Sequence, residues 1–339
     1  MTDNNLARAY WVQEPGKGQI VATQLVDPGP DEVMVKALFS GISRGSESLV
    51  FMGNVPPSEY QTMRAPFQEG NFPGPVKYGY ANVGRIEKGP SELLGQIVFC
   101  LYPHQDRYVV PIQSVLSVPP NVPQARAVLA ANMETAINGL WDAPVMIGAN
   151  IIVVGAGVIG CLVAFLAGQI PGTHVMLVDT NTGKAKIANA LGVEFAEPGA
   201  AIGVGDLVIH ATGSSEGLKT ALELAGAEAT VLELSWFGNR EVSVPLGEAF
   251  HSKRLRLQSS QVGMVGVAQR TRWNSRRRLS LALDLLSDDV LDNLISGQSE
   301  FETLPATMQR LAATAKGELC HRIVYPDVAN NKLGLGESA

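Results

Sequence analysis

Ile151-Ile152-Val153-Val154-Gly155-Ala156-Gly157-Val158-Ile159-Gly160 opens a stretch that carries no charge until after Ala167. Its 17 residues approach the length of a membrane-crossing helix. The order of residue types argues otherwise. Four β-branched residues favour an extended strand, Gly155-Ala156-Gly157 turns the chain, and Val158 to Leu166 suits a helix. A buried strand, a glycine turn and a buried helix are therefore expected, not a membrane span. In that context the glycines match the GxGxxG pattern. Gly155 makes the tight turn, Gly157 lets the backbone approach a pyrophosphate, and Gly160 lets helix and strand pack closely. Val158 and Ile159 begin the helix, whose free amides and partial positive charge suit phosphates.

The next strand-like run, Val175–Val178, ends on Asp179, 24 residues after Gly155. A carboxylate there accepts both ribose hydroxyls of NAD and repels the 2′-phosphate of NADP. No arginine follows within ten residues to receive that phosphate, and Lys184 and Lys186 read as exposed helix positions. NAD is the expected cofactor, with NADP less favoured.

Outward from this unit the texture stays regular. Leu207–His210, Thr230–Leu234 and Leu255–Ser259 read as strands, and Lys184–Leu191 and Leu218–Leu224 as helices, which predicts a doubly wound parallel sheet. The first ~120 residues read instead as short strands and turns, such as Val33–Leu38 and Ile97–Leu101. Gly53 to Pro75, rich in glycine and proline, reads as a long surface loop. Pro119 to Pro123 marks a boundary before a helical Gln124–Trp141. Helices near Ser275–Leu286 and Phe301–Ala315 and a strand His321–Tyr325 complete the chain. The fold class expected is α/β, a β-rich domain from 1–122 and 265–327 with a dinucleotide-binding domain from 123–264. A flexible tail is expected over 328–339.

Composition agrees with a folded chain of about two domains: 339 residues, 46% hydrophobic and 17% charged. The net charge of −6 disfavours a general nucleic-acid binder. Cys100, Cys161 and Cys320 lie at least 61 residues apart, so neither a disulfide framework nor a CxxC knuckle is present. The polar start, Met1-Thr-Asp-Asn-Asn, does not read as a signal peptide, and a cytoplasmic location is expected.

A strand-rich front, a late dinucleotide unit and a returning segment resemble the medium-chain dehydrogenase/reductase superfamily. Asp206-Leu-Val-Ile-His-Ala-Thr212-Gly213 is similar to that family's segment beside the cofactor, which implies a cofactor contact at Thr212. Lys316 to Val324 is similar to its closing strand. The resemblance implies a GroES-like catalytic domain beside a Rossmann domain, an active site in the cleft between them, a small-molecule substrate and a homodimer. The family's zinc members carry a Cys in a GxCGTD-like segment, a His in GHExxG and a later Cys or Glu. Here Gly41-Ile-Ser43-Arg44-Gly45-Ser46-Glu47 lacks the cysteine, Tyr80 replaces the histidine, Ala81 the glutamate, and only Glu134 matches a ligand position. One carboxylate cannot hold Zn²⁺, so no zinc is expected. The Gly-Ile-Ser-x-Gly-Ser-Glu segment with Pro56-Pro57 after it is similar to the zinc-lacking branch of bacteriochlorophyllide a dehydrogenase-like proteins. That implies NAD-linked alcohol/ketone chemistry without a metal.

Such chemistry needs a group to stabilise or carry the alcohol's proton. Tyr80 could face the substrate oxygen from the vacated histidine position, or pack in the core. His104 could shuttle protons in a cleft-lining loop, or sit on the surface. Glu134 could orient a cation or a water, Ser43 could donate a hydrogen bond, and Arg44 and Glu47 could pair or clamp a ligand. Between Lys253 and Arg278 eight basic residues occur without an acidic one. They read as solvated charges or, since Arg276 to Arg278 sit near a helix N-terminus, as a site for a negative partner. Trp236, Phe237 and Trp273 could wall a ring-shaped substrate or pack in the core. Two other readings stay open: a quinone or enone reductase of the same superfamily, and a non-catalytic NAD(H)-binding subunit.

Overall fold

A computed structural model describes residues 5–201, 203–314 and 317–326. The expected tail over 328–339, Lys316 and the end of the helix expected at Ala315 lie outside them. Two compact units emerge: one is formed by the chain up to Ala131 together with the segment from Ile295 on, the other by Asn132–Leu294. The sequence reading puts these divisions at 122/123 and 264/265. The second division comes later because the helix Ser275–Asp284 buries Arg278 against Glu134 and so packs within the second unit.

In the first unit a seven-stranded sheet runs in the order Ile295–Glu300, Cys320–Val324, Glu32–Ile42, Asn82–Lys88, Ile97–Cys100, Val115–Ser117, with Arg107–Pro111 also paired to Glu32–Ile42. The returning strand Cys320–Val324 pairs antiparallel with Glu32–Ile42 and parallel with Ile295–Glu300. Val33, Val35, Ile86, Val98, Tyr108 and Val110 bury one of its cores, where Tyr102 stacks on Tyr108 at 3.9 Å. A second, four-stranded sheet is built on the hairpin Leu6–Glu14 and Lys17–Gln24. The helix Leu304–Thr314 also belongs to this unit, and a further helix, Arg44–Phe51, was not placed by the sequence reading.

The second unit holds a six-stranded, all-parallel sheet. Its order is Glu194–Ala196, His174–Val178, Asn150–Val154, Gly205–His210, Ala225–Glu233, Arg256–Ser259. The chain winds outward from Asn150–Val154 in one direction as far as Glu194–Ala196, then returns to begin the other direction at Gly205–His210. A crevice opens at the carboxyl ends where such an order reverses. Ile152, Val154, Val178, Val208, Leu222 and Val231 form the core beneath it. Among the described residues no helix is long and apolar enough to cross a membrane. All three cysteines are free and buried.

Candidate functional site

The glycine turn follows Asn150–Val154, and each glycine meets a different constraint. Gly155 has φ +113°, where a side chain strains, and an added Cβ would lie 2.8 Å from the Ala211 carbonyl carbon. An added Cβ at Gly160 would lie 1.8 Å from the Gly155 carbonyl oxygen, so helix Val158–Gly168 packs against its own entry turn only because that position is bare. Around Gly157 nothing lies within 4 Å of the Cβ position. That space is the approach a pyrophosphate needs, and Val158 and Ile159, both half-buried, begin the helix beside it.

Asp179 follows His174–Val178 and is half-buried. One carboxylate oxygen accepts the Ala156 N–H of the glycine turn at 2.8 Å, the other the Asn181 N–H at 2.8 Å. Each oxygen keeps lone-pair capacity for a ribose hydroxyl. The residues therefore fit a dinucleotide: Asp179 for a ribose, the turn and helix start for the pyrophosphate. Thr212, on the far side of the glycine turn, is exposed. Lys184 is buried, not exposed as the helical pattern suggests.

In the first unit the sequence candidates gather around Glu47, with one exception. Its Oε1 accepts the Ser43 N–H at 2.7 Å, since the helix Arg44–Phe51 brings the carboxylate back over its own first turn. Its Oε2 accepts from His104 Nε2 at 2.8 Å, and His104 Nδ1 lies 2.7 Å from Ser40 Oγ, itself 3.1 Å from Tyr325 Oη. His104 is 1% exposed. It is neither a surface histidine nor an open shuttle, for both ring nitrogens are bonded inside the protein. Ser43 makes no capping bond with its side chain; its hydroxyl, with that of Ser46, bonds the phenol of Tyr80. Arg44 is the exception. Its guanidinium donates to the Glu318 carbonyl at 2.8 Å.

Burial and the neighbouring Glu47 carboxylate push Tyr80 up to about 12. At neutral pH it is a donor, not a base. An unfolded tyrosine ionises near about 10, so above that pH the unfolded chain loses a proton that the folded one keeps, and stability falls as pH rises toward about 12. Tyr80→Phe should flatten that fall relative to the parent, read from urea midpoints across the alkaline range. Parallel slopes would contradict the shift.

Glu134 lies in the second unit, buried, with Oε1 3.0 Å from Arg278 Nε. Burial raises its carboxyl, and the guanidinium partly offsets this. Arg278 is 1% exposed, so the reading of all three arginines as a solvated or ligand-facing group is corrected. Other members of the basic segment are also engaged: Lys253 Nζ donates to the Glu223 and Ala225 carbonyls, and Arg277 stacks over Trp273 at 3.8 Å. Trp273 itself packs on Trp141 at 4.9 Å. The donors at the family's zinc positions do not fit the ion. Ser43 and Tyr80 bond each other, Glu134 is held by an arginine, and among the described residues no three His, Cys, Asp or Glu side chains cluster.

Sequence reading missed His210. It ends the strand Gly205–His210 fully buried, with Nδ1 2.6 Å from Glu233 Oε2 and Nε2 2.6 Å from Thr212 Oγ1. The only signal was a histidine that follows the apolar run Leu207-Val208-Ile209 and closes the strand.

No family model matches the chain. An L-threonine 3-dehydrogenase of Edwardsiella ictaluri is 29% identical over 119 residues, 35% of this chain and 34% of that relative. The chain thus matches about a third of the length of the curated relatives. Across nearly the whole length the fold is shared with solved dehydrogenases. A protein of Sinorhizobium meliloti 1021 assigned as a zinc-binding dehydrogenase, bound to NADP, superposes with TM-score 0.74 at 18% identity, covering 95% of this chain and 100% of that one. An alcohol dehydrogenase of E. coli CFT073 complexed with NADH gives 0.73 at 17%, covering 95% and 100%. The architecture is that of GroES-like and Rossmann domains.

Proposed function

We propose that this chain is a medium-chain dehydrogenase of the zinc-lacking branch, an NAD(H)-dependent oxidoreductase that interconverts a secondary alcohol and a ketone on a fairly large substrate. The observation that carries the cofactor choice is Asp179, held on the Ala156 N–H with its free lone pairs over the glycine turn. Bound there, NAD supplies the hydride acceptor or donor. The chain's own residues bind and orient it: Asp179 the adenosine ribose, Gly157, Val158 and Ile159 the pyrophosphate. The mismatch of Ser43, Tyr80 and Glu134 with zinc chemistry supports a metal-independent reaction, in which the Tyr80 hydroxyl is the donor available to a substrate oxygen. A homodimer is part of this reading.

Fluorescence titration of the metal-free protein with NADH and NADPH tests it, with zinc assayed alongside. NADH should bind at least about tenfold more tightly than NADPH, a difference of about 1.4 kcal/mol. Asp179→Ser should erase that preference by removing the charge that repels the 2′-phosphate. A parent protein that prefers NADPH points to the quinone or enone reductase reading, and stoichiometric zinc sinks the metal-free assignment.

A further inference from the structure

Three hydroxyl–histidine–glutamate chains occur among the described residues: Ser299–His321–Glu318, and two more that differ in where the hydroxyl sits. Ser40–His104–Glu47 is closed, since Ser40 is fully buried and shared with Tyr325. Thr212–His210–Glu233 is open: the imidazole is buried, the glutamate half-buried, and Thr212 exposed. Glu233 is fixed by the Ser235 N–H on its other oxygen at 2.7 Å. A carboxylate only accepts, so Nδ1 of His210 carries the proton and Nε2 is left as the base that receives the Thr212 O–H. Thr212 Oγ1 in turn accepts the Ser214 N–H at 3.0 Å and lies 3.0 Å from Ser214 Oγ. Gly217 is bare where an added Cβ would lie 2.2 Å from Thr212 Oγ1 and 2.8 Å from His210 Nε2. The helix Ser215–Leu224 thus closes over the pair without breaking it. Around the imidazole, Ala225–Glu233 contributes Glu233, the following loop Phe237 stacked at 6.2 Å with Arg240 over that ring, and Asn150–Val154 contributes Val154 in register.

The sheet order says what this open end faces. Asp179 and Thr212 follow strands on opposite sides of Asn150–Val154, and the glycine turn lies between them. A dinucleotide with one ribose on Asp179 and its pyrophosphate at Gly157 extends its second nucleoside toward Thr212. We propose that Thr212, His210 and Glu233 form a proton relay that opens onto the hydroxyls of that second ribose. The inference rests on the dinucleotide reading above. When an alcohol is oxidised, a hydride leaves its carbon and one proton is freed. With the ribose hydroxyl in the place of Ser214 Oγ against Thr212, it would take up the alcohol's proton as it gives its own to Thr212; Thr212 passes its proton to Nε2 of His210, and Glu233 stabilises the imidazolium that results.

The test follows the histidine signals directly, because the chain has only five histidines. In ¹⁵N-histidine-labelled protein, the ring nitrogens of His210, assigned with His210→Asn or by elimination, should shift when NAD⁺ is added and stay put when AMP is added. Thr212→Val should weaken NAD⁺ binding by about tenfold and abolish the His210 response at saturation, while Thr212→Ser restores both. Saturation with NAD⁺ that leaves the His210 signals unmoved overturns the relay, as does an unchanged response in Thr212→Val. A parent protein that binds no NAD⁺ in the same titration overturns the dinucleotide reading itself, which the binding isotherm reveals without reference to His210.

Discussion

Arg278→Ala should lose about 3–5 kcal/mol of unfolding free energy in urea, enough to unfold a marginal protein at room temperature. The guanidinium is buried, and its donors are spread over four partners. Nε serves Glu134 at 3.0 Å, Nη1 serves Asn138 Oδ1 and the Met264 carbonyl, and Nη2 serves the Val262 carbonyl. Glu134 and Asn138 stand four apart on one face of helix Ala130–Asp142, so one arginine holds that helix, the helix Ser275–Asp284 and the loop from Val262 to Met264. Truncation leaves a carboxylate buried without a counter-charge, which costs far more than the pair contributes. The sign of the pH dependence follows. Burial already raises the Glu134 carboxyl, and removing Arg278 removes the opposing influence. The folded variant then keeps a proton that the unfolded chain gives up above about pH 4.3, so the deficit should be smaller in acid than at neutral pH. Glu134→Gln in the Arg278→Met background should recover part of the loss. A deficit below about 1 kcal/mol would show that the arginine is merely accommodated.

The second large effect separates two glycines three residues apart. Gly160→Ala places a methyl 1.8 Å from the Gly155 carbonyl oxygen, and neither partner is a flexible side chain. The helix must shift off its strand, with an overpacking cost of about 1–3 kcal/mol. The displaced turn should bind NADH at least about 30-fold more weakly, roughly 2 kcal/mol. Gly157→Ala meets nothing within 4 Å and should leave stability within about 0.5 kcal/mol of the parent. Its methyl nevertheless enters the space where a pyrophosphate approaches, so NADH affinity should fall all the same. Thermal melts and NADH titrations on the two variants give four values. Normal NADH binding by Gly157→Ala would remove the phosphate role from this turn.

What the sequence made legible was local. The glycine turn, its helix and Asp179 span fewer than thirty residues, and each signal there is a constraint between near neighbours. The alternation of strand and helix likewise exposed the parallel sheet. The strand Glu194–Ala196 escaped because three residues carry no readable period. The helix Arg44–Phe51 escaped because its buried Leu49, Val50 and Phe51 are consecutive, a pattern shared with strands. The buried pairings within each unit were hidden by separation. Glu47 and His104 lie 57 residues apart, and Glu134 and Arg278 lie 144 apart. Composition showed a run of arginines, but nothing local distinguished Arg278, which finds its acid inside, from the exposed Arg277 beside it. His210 was visible only as a strand ending, since its partner Glu233 closes the neighbouring strand.

Asp179 ties two properties together that evolution can rarely adjust at once. The carboxylate proposed above to discriminate between the two nicotinamide cofactors also accepts the Ala156 N–H of the glycine turn. A lineage drifting toward the phosphorylated cofactor would have to discard this acid, and with it the bond that holds its phosphate cradle in shape. Exchange of preference therefore becomes a path with an unfavourable first step, passable only after a second substitution has already stiffened the turn. Homologues that made the crossing should carry that compensating change as a historical trace, acquired before the aspartate was lost.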